Sequence, residues 1–390
     1  MGFIFAPKHS NLITFRKPAH PAINKETIMN THRLTAVDFV RGFSVLIMVC
    51  VHTLWMYGSS YTQGQSLLGE IIHLLGKGTA AFLIAMGVSL LLSRHHSPRA
   101  LAKRGVTILA LGYGMNALKF VLPIALGVLP ESFINAYGWQ SPLQLPHYLY
   151  LLGTGDILQM AGLSLLLLSL VVHPKRSPWL YIALALLVAF VTPLIRGWQS
   201  GMTGLDYLSD LFVGAQFNVY FPVFPWLACV LFGLALSARL RQGRPLERSA
   251  LHLGLPLLIV GGALCLWDKD THFNDFFHLG PGGVLYLSGL NLVALAAIGK
   301  LLHLSQNGPV QQRIMTVLTY CSRHVTSLYI TQWVLVCWGM AWVGFKTLSP
   351  WQCAAMMPVM LLLTFAIHRL LFVRQRQPAT TQPHTHKVID

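Results

Sequence analysis

Charge is scarce in this chain. Asp, Glu, Lys and Arg together make up 10% of its 390 residues, where a soluble domain carries about 25%. Acidic residues are scarcest: 12 Asp and Glu face 28 Lys and Arg, a formal net charge of +16. No phosphate-binding loop, CxxC, HExxH or GxSxG is present, which removes support for soluble-type nucleotide hydrolysis, zinc proteolysis and nucleophile-elbow hydrolysis. The six cysteines, Cys50, Cys229, Cys265, Cys321, Cys337 and Cys353, lie in or at the ends of apolar segments without metal-ligand spacing. They read as small buried hydrophobes, and no metal site is expected. The first 35 residues are polar and mixed, without the apolar stretch of a cleavable signal peptide. No internal repeat is evident, which weakens an inverted-repeat transporter.

Long apolar runs are what the chain does have; apolar residues make up 54% of it. They recur from about residue 37 to residue 371, each of about 20 residues, the length that crosses about 30 Å of hydrocarbon at 1.5 Å per residue. A soluble core has no room to hide so many. The expected fold is all-α: a polytopic transmembrane bundle of about ten helices, near 37–57, 67–91, 103–128, 147–171, 178–195, 218–238, 250–267, 282–301, 318–344 and 350–371. A short interfacial helix is expected in the connection 302–317. Residues 1–35 form an N-terminal arm, 36–371 the membrane domain, and 372–390 a Pro-, Thr- and His-rich flexible tail.

The positive charge is clustered between the apolar runs rather than spread along one face, which excludes a nucleic-acid partner. Lys8, Arg16, Lys17, Lys25 and Arg33 precede the first run. Arg94, Arg99, Lys103, Arg104, Lys175, Arg176, Arg239, Arg241, Arg244, Arg248, Lys300 and Arg313 fall in alternate connections, and Arg369, Arg374, Arg376 and Lys387 end the chain. The opposite side holds only Arg196, Lys269 and Lys346. The positive-inside rule therefore puts both termini in the cytoplasm. The outward loops 129–146, 196–217 and 268–281 carry Tyr137, Trp139, Trp198, Tyr207, Phe217, Phe273, Phe276 and Phe277. Such rings make an interfacial belt; together they also suit the mouth of a carbohydrate or lipid-headgroup site.

Ionisable groups inside the membrane are expensive and mark function. Asp38 and Arg41 stand three apart on the first helix and can pair. His52 follows Arg41 by eleven residues, almost three turns, so the two share a face about 16 Å apart along the axis. On the second helix Glu70, His73 and Lys77 form a stripe, and His73 falls near the depth of His52. Either histidine could serve as general base with Glu70 orienting it. Asp156 and Gln159 share a face in GTGDILQM, with Lys119 or Lys77 as partner for the acid. Arg323, His324, Ser327 and Gln332 surround the start of the ninth helix, where Arg323 either meets an anion or snorkels. FPVFPW, with Pro222, Pro225 and Trp226, predicts a kinked or broken start to the sixth.

The stretch RLTAVDFVRGFSVLIMVCVH, residues 33–52, resembles the opening signature of the transmembrane acyltransferase superfamily. That group includes bacterial polysaccharide O-acetyltransferases and heparan-α-glucosaminide N-acetyltransferase-like proteins. The O-acetyltransferase branch has Arg, ten residues, then His, which matches Arg41 and His52. KGTAAFLIAMGVSLLLSR (77–94), GTGDILQMAGLSLLLLSL (153–170) and FPVFPWLACVLFGLAL (221–236) resemble the heparan-type branch, and LTYCSRHVTSLYITQWVL (318–335) a late helix of both. The heparan-type branch usually carries Asn at the position of His52, with its reactive histidine in the next outer loop. Residues 58–66 hold no histidine, and His73 is the nearest.

The resemblance implies an acyl-CoA-dependent transferase of a bacterial inner membrane. It would move an acyl group, most often acetyl, from cytoplasmic acetyl-CoA or another acyl-CoA to a hydroxyl or amine of a sugar or glycan on the far side. His52 would be catalytic, with His73 and Glu70 as its rivals or helpers. Arg41 would hold the donor; from their charge and placement Lys77 and Arg323 are added to it, and Asp38, Lys119, Asp156, Gln159, Trp226 and Gln332 to substrate binding or a polar core. No permanently bound cofactor is implied. Membrane lipids are partners, and homo-oligomerisation is left open. The rival readings are a transporter of a small solute or lipid-linked sugar and a structural or sensory module.

Overall fold

The computed structural model describes residues 25–93, 97–305 and 308–373, and side chains from residue 35 onward. Lys8, Arg16, Lys17, Arg94, Arg374, Arg376 and Lys387, most of the arm and nearly all of the tail 372–390 lie outside the described residues. In chain order the long helices are α1 (Lys25–Tyr57), α2 (Leu67–Leu92), α3 (Pro98–Ala125), α4 (Ile157–Val171), α5 (Pro178–Ile195), α6 (Val223–Arg241), α7 (Leu246–Trp267), α8 (Pro281–Leu304), α9 (Val325–Val343) and α10 (Pro350–Phe372). Among the described residues eight of these, all but α4 and α9, have the length and apolarity of a membrane span. No strand occurs among the described residues, and two isolated bridges, Gly58 with Leu348 and Gly155 with Val219, tie loops together. The expected all-α polytopic bundle is therefore the fold.

Local chemistry sets the helix starts. Ser97, Ser177 and Ser349 each precede a proline and cap α3, α5 and α10, the first two by accepting from Ala100 and Trp179 backbone N–H groups. A hydroxyl at the cap and proline at the first turn are the arrangement a helix N-terminus favours. The helix α6 is the axis of the assembly: Trp226, Ala228, Phe232 and Leu234 are fully buried, and it packs against α2, α4, α5, α7 and α8. At its contact with α2 the glycines Gly87 and Gly233 face each other's helix, and a Cβ on either would run into backbone of Val230 or Ile84. Small residues here let the two backbones approach, the usual means of helix packing in lipid.

The structure corrects two expected spans. The run 147–171 is not one helix: Leu145–Leu152 ends at Gly153, and α4 begins only at Ile157. The intervening Thr154-Gly155-Asp156 is extended, with Gly155 N–H donating to Asn218 C=O and Tyr220 N–H donating to Gly155 C=O. Asn116 Nδ2 donates to the carbonyls of Leu152 and Thr154 at 2.9 and 2.8 Å, so the broken backbone stays satisfied inside the protein. The run 318–344 is also divided. A separate amphipathic helix, Pro309–Arg323, ends at His324 (φ −112°, ψ 23°), and α9 starts at Val325. Exposed Val310, Ile314 and Val317 give the amphipathic helix an apolar stripe, which is interfacial rather than spanning character.

Two further interruptions concern the site. Pro123 has no N–H to offer the Lys119 carbonyl, and α3 widens into a π-helical turn over Ala117–Val121 that carries Lys119. Such turns recur at functional sites. The kink expected from FPVFPW is found at Phe224 (φ −96°, ψ 123°), before the regular part of α6.

Candidate active site

The most polar part of the interior lies where α1, the π turn of α3, the start of α4 and α9 meet. From α1, His52 is 6% exposed and its Nδ1 lies 3.1 Å from Gln332 Oε1 on α9. An amide oxygen only accepts, so Nδ1 carries the proton and Nε2 keeps its lone pair. Nε2 has no hydrogen-bond partner among the described residues. The ring stacks on Trp333 with centroids 3.8 Å apart, and meets Tyr329 edge-on and Trp55 tilted, each at 5.7 Å. Tyr329, Gln332 and Trp333 are i, i+3 and i+4 on α9, so one helical face supplies all three contacts.

Beside the imidazole lies a buried ion pair. Lys119 Nζ is 2.8 Å from Asp156 Oδ2, with both side chains almost wholly inaccessible. Asp156 caps α4: its Oδ1 accepts from Ile157 N–H at 2.7 Å and from Tyr329 Oη at 2.7 Å, while its own N–H donates to Gln159 Oε1. A carboxylate at a helix N-terminus with three donors is well solvated by protein. Lys119 Nζ also lies 4.4 Å from the Trp333 ring centroid and 4.7 Å from that of Phe120. Trp333 thus links the ion pair to His52. Of the two partners expected for Asp156 the structure brings Lys119; Lys77 lies instead 5.3 Å over the Phe273 ring. Asp156 itself is a cap in a broken segment rather than a residue within a helix, a consequence of the two glycines before it, Gly153 and Gly155, and of its own preference for that position.

Three other expected groupings look different in space. Asp38 and Arg41 make no ion pair; both turn to the end of the amphipathic helix, where Ser322 Oγ donates to Asp38 at 2.6 Å and Arg41 donates to the Ser322 carbonyl at 2.7 Å. The free carbonyls at a helix C-terminus attract a cation, which is why Arg41 leaves Asp38. Arg41 also donates to Ser89 on α2 at 3.2 Å. Gly42 lies against backbone of Leu318, where any Cβ would collide, so the Arg-Gly step lets the two helices touch. Glu70 is exposed and hydrogen-bonds to neither histidine among the described residues, because it sits on the outer face of α2. His73 is half-buried and accepts from Trp55 Nε1 at 3.2 Å, so Trp55 stands between it and His52. Arg323 is exposed and, with Thr316, Thr319, Tyr320 and His324, borders an open groove of about 550 Å³ on the amphipathic helix.

On the opposite side of His52 from Arg41 the loop rings form a lid. Trp55 contacts Phe277, which contacts Tyr220 and Phe221, and the series runs on through Phe217 to Tyr137 and Trp139. Trp226 is fully buried and donates to the Phe277 carbonyl at 2.8 Å, fastening α6 to this loop. The loop is shaped by Asp275, which accepts from Phe277 N–H at 2.8 Å and lies 2.6 Å from His278 Nδ1. Burial pushes the Asp275 carboxyl up, but the His278 and backbone hydrogen bonds outweigh it and hold it below the usual range.

Chemically the centre offers an imidazole with a bare Nε2, walled by aromatic rings and backed by a neutralised ion pair. It can take a proton from, or attack, a group brought to it. No group of three or more His, Cys, Asp or Glu suited to a metal occurs among the described residues. No curated protein matches the chain. The family model for heparan-alpha-glucosaminide N-acetyltransferase, catalytic, matches residues 33–262, a stretch that contains Arg41, His52, Lys119 and Asp156. Together with the membrane-spanning helices, that match over more than half of its length makes the chain a member of the heparan-alpha-glucosaminide N-acetyltransferase catalytic family.

Proposed function

We propose that this protein is an acyl-CoA-dependent acyltransferase of a bacterial inner membrane, with both termini cytoplasmic. It moves an acyl group, most simply acetyl, to a hydroxyl or amine of a sugar or glycan at the far side. The observation that carries this reading is the bare Nε2 of His52, fixed by Gln332 and Trp333 inside a polar centre of a family of acetyltransferases. The donor enters from the side rich in Lys and Arg, its phosphates drawn by those charges. Its pantetheine arm follows the face of α1 from Arg41 toward His52. There His52 Nε2 takes the acceptor proton as the acceptor oxygen or nitrogen attacks the thioester carbon. The C–S bond breaks, and the departing thiolate takes the proton from Nε2, which restores the imidazole. The same lone pair also suits transient acylation of His52, and a burst of labelled acyl-protein without acceptor would mark that route.

Arg41 is already engaged at the end of the amphipathic helix, but its guanidinium is only half-buried and has further N–H groups to offer. Replacing Arg41 with Lys is expected to raise KM for acetyl-CoA by about tenfold, the size of one charge-assisted hydrogen bond of 1.5 kcal/mol or so, and to change kcat less. Initial rates against acetyl-CoA concentration in reconstituted vesicles measure both. An unchanged KM would remove Arg41 from the donor path. Uptake of a solute into the same vesicles without consumption of acetyl-CoA would instead favour a transporter.

A further inference from the structure

The side chain that holds His52 has a second end. Gln332 is 1% exposed, and while its Oε1 accepts from His52 Nδ1, its Nε2 amide has no hydrogen-bond partner. The next residue, Trp333, is the one stacked on His52. Buried donors are paired in the great majority of cases, and an unpaired one calls for an explanation. The neighbouring polar groups do not supply it: Tyr329 Oη, which donates to Asp156, makes no hydrogen bond with it, and the Lys119 ammonium has no lone pair to offer. What remains for the Gln332 amide is a ligand oxygen. Its Oε1 and Nε2 share one carbon, so an oxygen bound by Nε2 lies close to a group whose proton is taken at His52.

We propose that Gln332 acts at both ends: its oxygen fixes His52 in the tautomer with a bare Nε2, and its NH2 donates to the carbonyl oxygen of the acyl thioester. The assignment rests on the acyl-transfer reading and names the residue that receives the reacting carbonyl. As the acceptor attacks, the C=O π electrons move onto that oxygen, and the amide N–H stabilises the negative charge it gains. When the C–S bond breaks the carbonyl re-forms, and the thiolate leaves with the proton held at His52. One side chain thereby couples the position of the base to the position of the electrophile.

Binding of two CoA thioethers to the purified protein in lipid nanodiscs tests this apart from turnover. S-acetonyl-CoA carries a carbonyl and S-propyl-CoA does not. The native protein is expected to bind the ketone about 3- to 10-fold tighter, the worth of one net hydrogen bond. Gln332→Met and Gln332→Leu should both lose that preference, since neither offers the donor; His52→Asn, which keeps an amide to donate to Gln332 Oε1, should keep it. Equal binding of the two compounds by the native protein, or a preference that survives in either variant, would overturn the assignment. Failure of both compounds to bind the native protein would overturn the acyl-CoA reading beneath it.

Discussion

Replacing His52 with Asn is expected to lower acyl transfer by about 10²- to 10⁴-fold, the contribution of a positioned general base, while the bundle stays folded. Asn keeps a side-chain amide that can donate to Gln332 Oε1 but cannot accept a proton at neutral pH. The choice matters because His52 is packed against Trp333, Tyr329 and Trp55, and truncation to Ala would add a cavity cost to the chemical one. His73→Ala is the companion measurement. His73 accepts from Trp55 Nε1 and lies beyond that ring from His52, so its loss should shift Trp55 and cost far less. Rates for purified proteins of matched thermal stability decide the matter. Native-like turnover in the Asn variant with collapse in His73→Ala would move the base to α2.

The second large effect is on stability. Asp156→Ala is expected to destabilise the protein by about 3–5 kcal/mol, because it leaves the Lys119 ammonium buried without its counter-ion. The faces of Trp333 and Phe120 would still lie near Lys119, and cation–π contacts return only part of that loss. Lys119→Met should cost less, since Asp156 would keep the Tyr329 and Ile157 donors and its place at the start of α4. The double variant Lys119→Met with Asp156→Asn should recover stability relative to Asp156→Ala, as removal of a whole buried pair is often near neutral. Thermal unfolding in one detergent ranks the three. A milder effect for Asp156→Ala than for Lys119→Met would show that the carboxylate, not the ammonium, depends on the pair.

Much of this arrangement was legible in the sequence, and what was not has physical reasons. Apolar length locates eight of the ten long helices as spans, because lipid imposes a minimum length that soluble interiors do not, but it runs α4 and α9 together with the segments before them. An acid in GTGD demanded a cation, and Lys119 was one of two within reach. The break that makes Asp156 a helix cap was hidden because Gly153, Thr154 and Gly155 are apolar or small enough to continue a hydropathic run. The spacing of Asp38 and Arg41 allows a pair because intrahelical distance is visible in a sequence, whereas the Ser322 carbonyl that draws Arg41 lies 281 residues away. Tyr329 and Trp333 do not stand out in the sequence, since aromatic residues in an apolar helix are ordinary. Their signal was the i, i+3, i+4 relation to Gln332, which has meaning only once a polar group is known to face α9.

In the proposed reaction the donor runs along α1 from Arg41 to His52. A density map of the protein in nanodiscs with S-acetonyl-CoA tests it most directly. Nucleotide density is expected on the Lys- and Arg-rich side, with the pantetheine arm passing Arg41 and the ketone oxygen at Gln332 Nε2, its carbon beside His52 Nε2. A CoA whose acyl end lies away from His52, or confined to the groove beside Arg323 with its arm pointing out of the bundle, would contradict it.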